Sequence, residues 1–227
     1  MPKSTNRRTS EAHPSAITSA LTDLMTSLAV VFILLLVVFM KQAHDQSLQA
    51  KRTVESELKT LLAQDRLELQ QDPRDPLNMA VMVGEKQLRF PVGESTLSAD
   101  GASFVRGFFR SFATKVCSPA LREQIDSIVI EGHTDTSGER TPDGVRSNIA
   151  LSQRRSYSVL EHALRSVQDS PETYECLLKF ASATGRGSRS PVFAQREYSP
   201  ELSRRVEIRI RVKAAEQQFR KLVAQSK

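Results

Sequence analysis

One carboxylate, Asp23, sits inside a long apolar run, Leu21 to Met40, and from Leu28 to Met40 no polar side chain interrupts that run. An acid in such a place is costly. Unless it only reaches the headgroup region, it faces a protein interior or a wet path and carries charge there. Thr22, Thr26 and Ser27 lie beside it, and on a helix positions 23, 26, 27 and 30 share one stripe. That stripe is poorly suited to lipid and is expected to pack on a partner. The alternative is local: Asp23 is close to the start of the run, so it either snorkels to the interface or caps the helix.

Other reactive residue types are few. Cys117 and Cys176 are the only cysteines; in an oxidising compartment they form a disulfide, or else each is buried separately as a small hydrophobe. His133 has no second His or Cys at metal-ligand spacing and reads as structural. No nucleophile with a base and no metal-ligand set stands out, so an enzyme is not expected.

The elements that position these residues follow from pattern. Counting from Ala20, the apolar run gives about twenty residues, enough for a helix to cross a roughly 30 Å hydrocarbon core, and we take 20–41 as a single membrane span. Lys3, Arg7 and Arg8 precede it against Glu11 alone, which places the tail 1–19 in the cytoplasm and the rest in the periplasm. Lys-Gln-Ala-His-Asp-Gln after Met40 offers no small-residue cleavage site, so the span reads as an uncleaved inner-membrane anchor. The formal charge of +6 is spread among acids rather than gathered in a basic stripe, which argues against nucleic-acid binding.

Residues 42–76 read as a helical linker. Val54, Leu58, Leu61, Leu62 and Leu69 approach one apolar seam, suiting a short coiled coil or a solvated helix, and Pro73 and Pro76 close the segment. A soluble domain is expected over 77–213. In it Met79–Val83 and Gln87–Pro91 suggest a hairpin or kinked strand pair, and Ser98 caps a helix whose apolar face is Phe104, Val105, Phe108, Phe109 and Phe112. A strand is expected at Ser127–Glu131. After a polar loop at Thr141–Gly144, a helix runs from about Asn148 to Leu164. Leu177–Ala183 reads as a strand, Gly185–Pro191 as a loop and Arg205–Val212 as a final strand. The fold class is α/β, a sandwich of helices on a mixed sheet. Residues 214–227 form a tail with one short amphipathic pattern.

Four motifs stand in order: Gly132-His-Thr-Asp135, Asn148-Ile-Ala-Leu-Ser-Gln-Arg-Arg155, Gly185-x-Gly187-x-x-x-Pro191 and Arg204-Arg-Val-Glu-Ile208. Together they resemble the OmpA-like peptidoglycan-binding domain. The resemblance implies that Asp135 and Arg155 clamp the diaminopimelate of the cell-wall peptide, with Asn148 and Leu151 on the same helical face as Arg155. The chemistry is coherent. An ammonium and a carboxylate on one carbon call for an acceptor-only anion opposite a planar cation. The competing readings are a turn bond for Asp135 and a surface ion pair for Arg155.

With the span included, the chain resembles the MotB-type subunits of ion-driven membrane motors, and Thr22-Asp-Leu-Met-Thr-Ser-Leu28 is most similar to the ZorB-type subunits of the Zorya anti-phage defence systems. That resemblance implies a homodimer within a pentamer of MotA-like partners, of the ZorA type. Asp23 would exchange protons or sodium ions, the carboxyl-terminal domain would hold the cell wall, and no cofactor would be needed. The chain departs from the flagellar pattern in having Leu21-Thr22 before Asp23 and Leu24 after it, and from some relatives at Ser147 and Ser203. A flagellar stator subunit and a plain membrane-to-wall tether are the other readings.

Overall fold

The computed structural model describes residues 14–214. The basic residues used to orient the span and the carboxyl-terminal amphipathic pattern lie outside them. The described residues fall into two compact units that divide after His44.

The first unit is helical. The helix α1 (Pro14–Gln64) begins in it, and the segment is long and apolar enough to cross a membrane. Side chains from Leu21 to Met40 are exposed within the chain, as a lipid-facing surface requires.

The second unit opens with the carboxyl-terminal half of α1 and continues through β1 (Leu69–Gln71), β2 (Asn78–Gly84), α2 (Glu85–Leu88), α3 (Ala99–Val116), α4 (Pro119–Arg122), β3 (Ile125–His133) and α5 (Pro142–Ser166). After these come α6 (Pro171–Phe180), β4 (Ala181–Gly187), β5 (Phe193–Ala194), β6 (Glu197–Tyr198), α7 (Pro200–Ser203) and β7 (Arg205–Val212). Five strands form one sheet in the order β1-β2-β7-β3-β4, and β5 pairs with β6 alone. Only β3 and β4 are parallel, and the helices α5 and α6 supply their crossover. The sheet is therefore mixed, as expected.

β7 is the centre of the sheet, antiparallel to β2 on one side and β3 on the other. Its Val206, Ile208, Ile210 and Val212 are buried beside Ile128 and Ile130 of β3, the period-2 pattern of a strand with one face in a core. Against that face pack Phe108, Phe109 and Phe112 of α3. The Phe109 ring meets Phe108 and Phe112 edge-on at 5.2 and 5.7 Å. Ser98 caps α3 as its position suggests, its hydroxyl accepting from the Gly101 amide at 3.1 Å.

Several boundaries differ from the sequence reading. The seam of Val54, Leu58 and Leu62 is real, but it is buried in the domain's own core instead of serving a coiled coil or facing solvent. The domain thus starts near Asp45, not at 77. Leu69 belongs to an edge strand, not to the helix. No hairpin forms at 79–91: Gly84 ends β2, one turn of helix follows, and Arg89 takes a left-handed conformation (φ 48°). α5 starts at Pro142, because Thr141 caps it by accepting from the Gly144 amide at 3.2 Å, so the expected polar loop is the helix's first turn. Leu177–Phe180 ends a helix rather than forming a strand, and β4 extends through Gly187 into the expected loop.

Cys117 and Cys176 are joined by a disulfide, their Cα atoms 5.9 Å apart. It ties the end of α3 to α6.

Candidate functional site: a cleft of opposed charges at the end of β3

Where β3 ends, the chain turns out of the sheet through Thr134 and Asp135. Asp135 Oδ1 accepts from the Ser137 amide at 2.9 Å, the turn bond that its residue type allows. Its Oδ2 accepts from Arg204 Nη1 at 2.6 Å, and Arg204 donates its Nε to Glu85 Oε2, also at 2.6 Å. One guanidinium therefore bridges the carboxylate after β3 and the carboxylate that opens α2. Burial pushes the Asp135 carboxyl up, but the hydrogen bonds from Arg204 and Ser137 outweigh it and hold the group below the usual aspartate value. The bonds to Glu85 and Asp135 in turn raise Arg204.

Arg155 lies in the middle of α5, thirteen residues after Pro142, and not in its first turns. It is only 6% exposed. Its Nε donates to the Glu94 carbonyl at 2.8 Å, its Nη2 to the Pro91 carbonyl at 3.3 Å, and its guanidinium lies 5.0 Å from the Phe90 ring centre. Among the described residues, no carboxylate forms an ion pair with it. Desolvation accordingly lowers its pKa, with the more distant Glu85 and Asp135 only partly offsetting this. A buried guanidinium held by neutral carbonyls and a ring is an uncompensated cation.

Asp135 and Arg155 line the same cleft, of about 470 Å³, with Glu85, Val92, Gly93, Thr134, Ser137, Asn148, Leu151 and Arg204. The structure thus brings together the four residues Asp135, Asn148, Leu151 and Arg155. Asn148 also acts locally: its amide donates to the Asp135 and Ser137 carbonyls, both at 3.1 Å, and to Glu139 Oε1 at 2.9 Å. It fastens the loop that carries Asp135. Leu151 contributes a half-buried apolar wall. Two charged members were given no site role from sequence: Glu85 was not singled out, and Arg204 was read only as the first residue of its motif. The signal available was the adjacent pair Arg204-Arg205: at the mouth of a strand neighbouring side chains point to opposite faces. Arg205 turns inward to Glu207 at 2.5 Å, leaving Arg204 to the cleft.

Behind the cleft His133 is buried, with Nε2 3.2 Å from Glu131 and 3.6 Å from Glu207. These three could offer ligand atoms to a cation. However, Arg205 and Arg209 bond to Glu207, and Arg186 and Arg209 approach Glu131. Three guanidiniums already neutralise two carboxylates, so the charge that would hold a divalent ion is spent within the protein.

In the first unit the hydroxyls beside Asp23 turn to their own helix. Thr22 Oγ1 donates to the Thr18 carbonyl at 2.8 Å, Thr26 Oγ1 to Thr22 at 2.5 Å, and Ser27 Oγ to Leu24 at 2.9 Å. Among the described residues, the Asp23 carboxylate has no hydrogen-bond or ion-pair partner. The polar stripe therefore comprises satisfied hydroxyls around one acid that nothing in the chain's described residues neutralises.

No protein-family model and no curated protein matches the chain. Solved structures do. A putative MotB-like protein from Desulfovibrio vulgaris superposes with a TM-score of 0.53 at 22% identity, over 74% of this chain and 98% of that one. The periplasmic domain of Helicobacter pylori MotB gives a TM-score of 0.49 at 16% identity, over 70% and 88% of the two chains. The cell wall anchor of the type VI secretion system from Pseudomonas aeruginosa gives 0.43 at 21%, over 68% and 96%. The likeness to the Desulfovibrio protein establishes the fold, an α/β domain of the MotB-like kind.

Proposed function

We propose that the second unit holds the chain to peptidoglycan by clamping the diaminopimelate of an uncapped stem peptide in the cleft at the end of β3. The observation that carries this reading is Arg155, a guanidinium buried without a counter-ion on the wall of an open cleft that also presents the ionised Asp135. A ligand carboxylate supplies the anion that Arg155 lacks, and Asp135 receives the ammonium beside it. The MotB-like fold supports the same reading. The test is cosedimentation of the full chain with purified sacculi. Arg155→Gln and Asp135→Asn should each lower the bound fraction at least about tenfold, since each leaves the opposite ligand charge unpaired; unchanged binding by both variants overturns the clamp.

For the first unit we infer a single-pass inner-membrane helix in which Asp23 exchanges a proton or sodium ion against a partner. The reading is supported by the isolation of the carboxylate on a stripe of small polar residues and by the motif resemblance of Thr22–Leu28. On this reading the chain works as a MotB-like homodimer inside a pentamer of MotA-like, ZorA-type subunits. Its motor is braced on the wall and serves anti-phage defence. A flagellar stator is the same machine in another setting; a plain tether needs no acid at position 23.

A further inference from the structure

We propose that the carboxyl-terminal segment 215–227 docks as an amphipathic helix in a groove beside the carboxyl-terminal half of α1, strapping the end of the chain to the first element of the domain. Neither the clamp nor the ion path bears on it. The groove, of about 570 Å³, lies between Leu48, Arg52 and Glu55 of α1 and Asp72, Pro73 and Pro76, which follow β1. Its two walls are joined by Gln71, whose Oε1 accepts from Lys51 Nζ at 3.2 Å and whose Nε2 donates to Glu55 Oε2 at 3.3 Å. Half-buried Leu48 and the exposed rings of Pro73 and Pro76 supply its apolar surface.

The chain itself leads there. β7 ends beside the groove, because the Val212 amide donates to the Leu77 carbonyl at 3.0 Å and Leu77 directly follows Pro76. Lys213 fixes the exit, its amide donating to the Gln124 carbonyl at 2.8 Å and its Nζ to the Glu123 carbonyl at 2.9 Å. Ala214 is the last described residue. The 13 residues after it contain no Gly or Pro, and Ala215, Phe219, Leu222 and Val223 fall at the spacing of one helical face. A helix of that length is about 20 Å long, enough to run past Leu48–Glu55, which spans about 11 Å of α1. Alone in water so short a helix is marginal, so its apolar stripe needs a surface to form against. Charge agrees with the pairing: Arg220 and Lys221 lie next to Phe219 and Leu222 in the segment, while Glu55 and Asp72 stand on opposite walls of the groove.

The chain has no tryptophan, so Phe219→Trp makes the segment the sole source of indole emission. Acrylamide quenching of the full chain with Phe219→Trp, in detergent micelles, is compared with that of the free peptide 215–227 bearing the same substitution in the same micelles. The tethered segment should be quenched at least about twofold more slowly, because its millimolar effective concentration half fills even a weak site. Leu48→Glu in the groove, or Leu222→Asp in the segment, should restore the quenching rate of the free peptide. If Leu48→Glu does not fold, Pro73→Lys, at an exposed position on the opposite wall, is read in its place. Quenching of the full chain at the free-peptide rate overturns the strap and leaves the groove to a partner. Protection that survives the groove substitution puts the segment on another surface or in the micelle, and overturns the strap equally.

Discussion

Gly132 runs so close beneath Ser152 that a β-carbon on it would lie 2.2 Å from the Ser152 carbonyl oxygen. Its neighbour across the parallel strands is Gly185, where a β-carbon would lie 2.3 Å from the Gln153 amide nitrogen. The two glycines form a shallow bed on which α5 rests, one turn before Arg155. Ser152 completes the seat, its hydroxyl accepting from the Gly187 amide at 2.9 Å.

Filling that bed should move the proposed clamp. Gly132→Ala or Gly185→Ala meets main-chain atoms rather than a yielding side chain, so α5 must lift. We expect a loss of roughly 1–3 kcal/mol in urea unfolding, together with weaker binding to sacculi because Arg155 moves with its helix. Full wall binding by either variant would mean that the helix seat does not set the cleft.

The carboxyl-terminal half of α1 is core, and Leu58 is fully buried in it. Leu58→Ala should cost about 2–5 kcal/mol in the unfolding of the carboxyl-terminal domain. A solvated linker leucine would change stability by a few tenths at most, so a small effect would contradict the packing described above.

The Cys117–Cys176 bridge closes a loop of 59 residues. A paired Cys117→Ser and Cys176→Ser variant, or reduction of the wild type, should remove about 2–4 kcal/mol, read as a lower denaturation midpoint. Equal midpoints with and without reductant would show that the bridge contributes nothing to the folded state.

Asp135 sets a pH dependence whose sign is fixed. Its folded pKa lies below the ordinary 3.8, so the stability it contributes is fully present above that value and is lost as pH falls through the folded pKa. The difference in melting temperature between wild type and Asp135→Asn should therefore be constant from pH 7 to 5 and shrink below about pH 4. A gap that widens in acid would reverse the assignment.

Asp23→Asn separates a motor from a tether. If the proposed motor exists, then in vesicles holding the chain with the MotA-like subunits that the proposal requires, the amide should abolish proton or sodium flux while leaving binding to sacculi at the wild-type level. Unaltered flux in the Asn variant would leave only the tether.

Much of this was legible beforehand because it rests on local chemistry. The Ser98 cap, the phenylalanine face of α3 and the alternation in β7 each declare their element within a dozen residues. The motif glycines were readable as motif members, but their reason, the approach of α5 to two strands, is a fact of tertiary packing. β1 is three residues long and mostly polar, so periodicity cannot find it. Leu177–Phe180 is a short apolar run of the kind that pattern alone cannot assign to helix or strand. It is helical because Pro171 and the preceding turn start a helix that buries Leu177. The partner of the seam on α1 was equally hidden, since an apolar stripe states that it must be covered and not by what. The role of Arg204 escaped for a related reason: its two carboxylates are 69 and 119 positions away in sequence.

The sheet's two outer strands have a consequence for crowding. β1 offers only Leu69, Gln70 and Gln71 before Pro73 and Pro76 stop the chain, and β4, on the far side, carries Gly185, Gly187 and the exposed Arg186. Neither rim is a long, flat apolar template that could zip onto a sister molecule. Many copies can therefore stand shoulder to shoulder without fusing into a continuous ribbon.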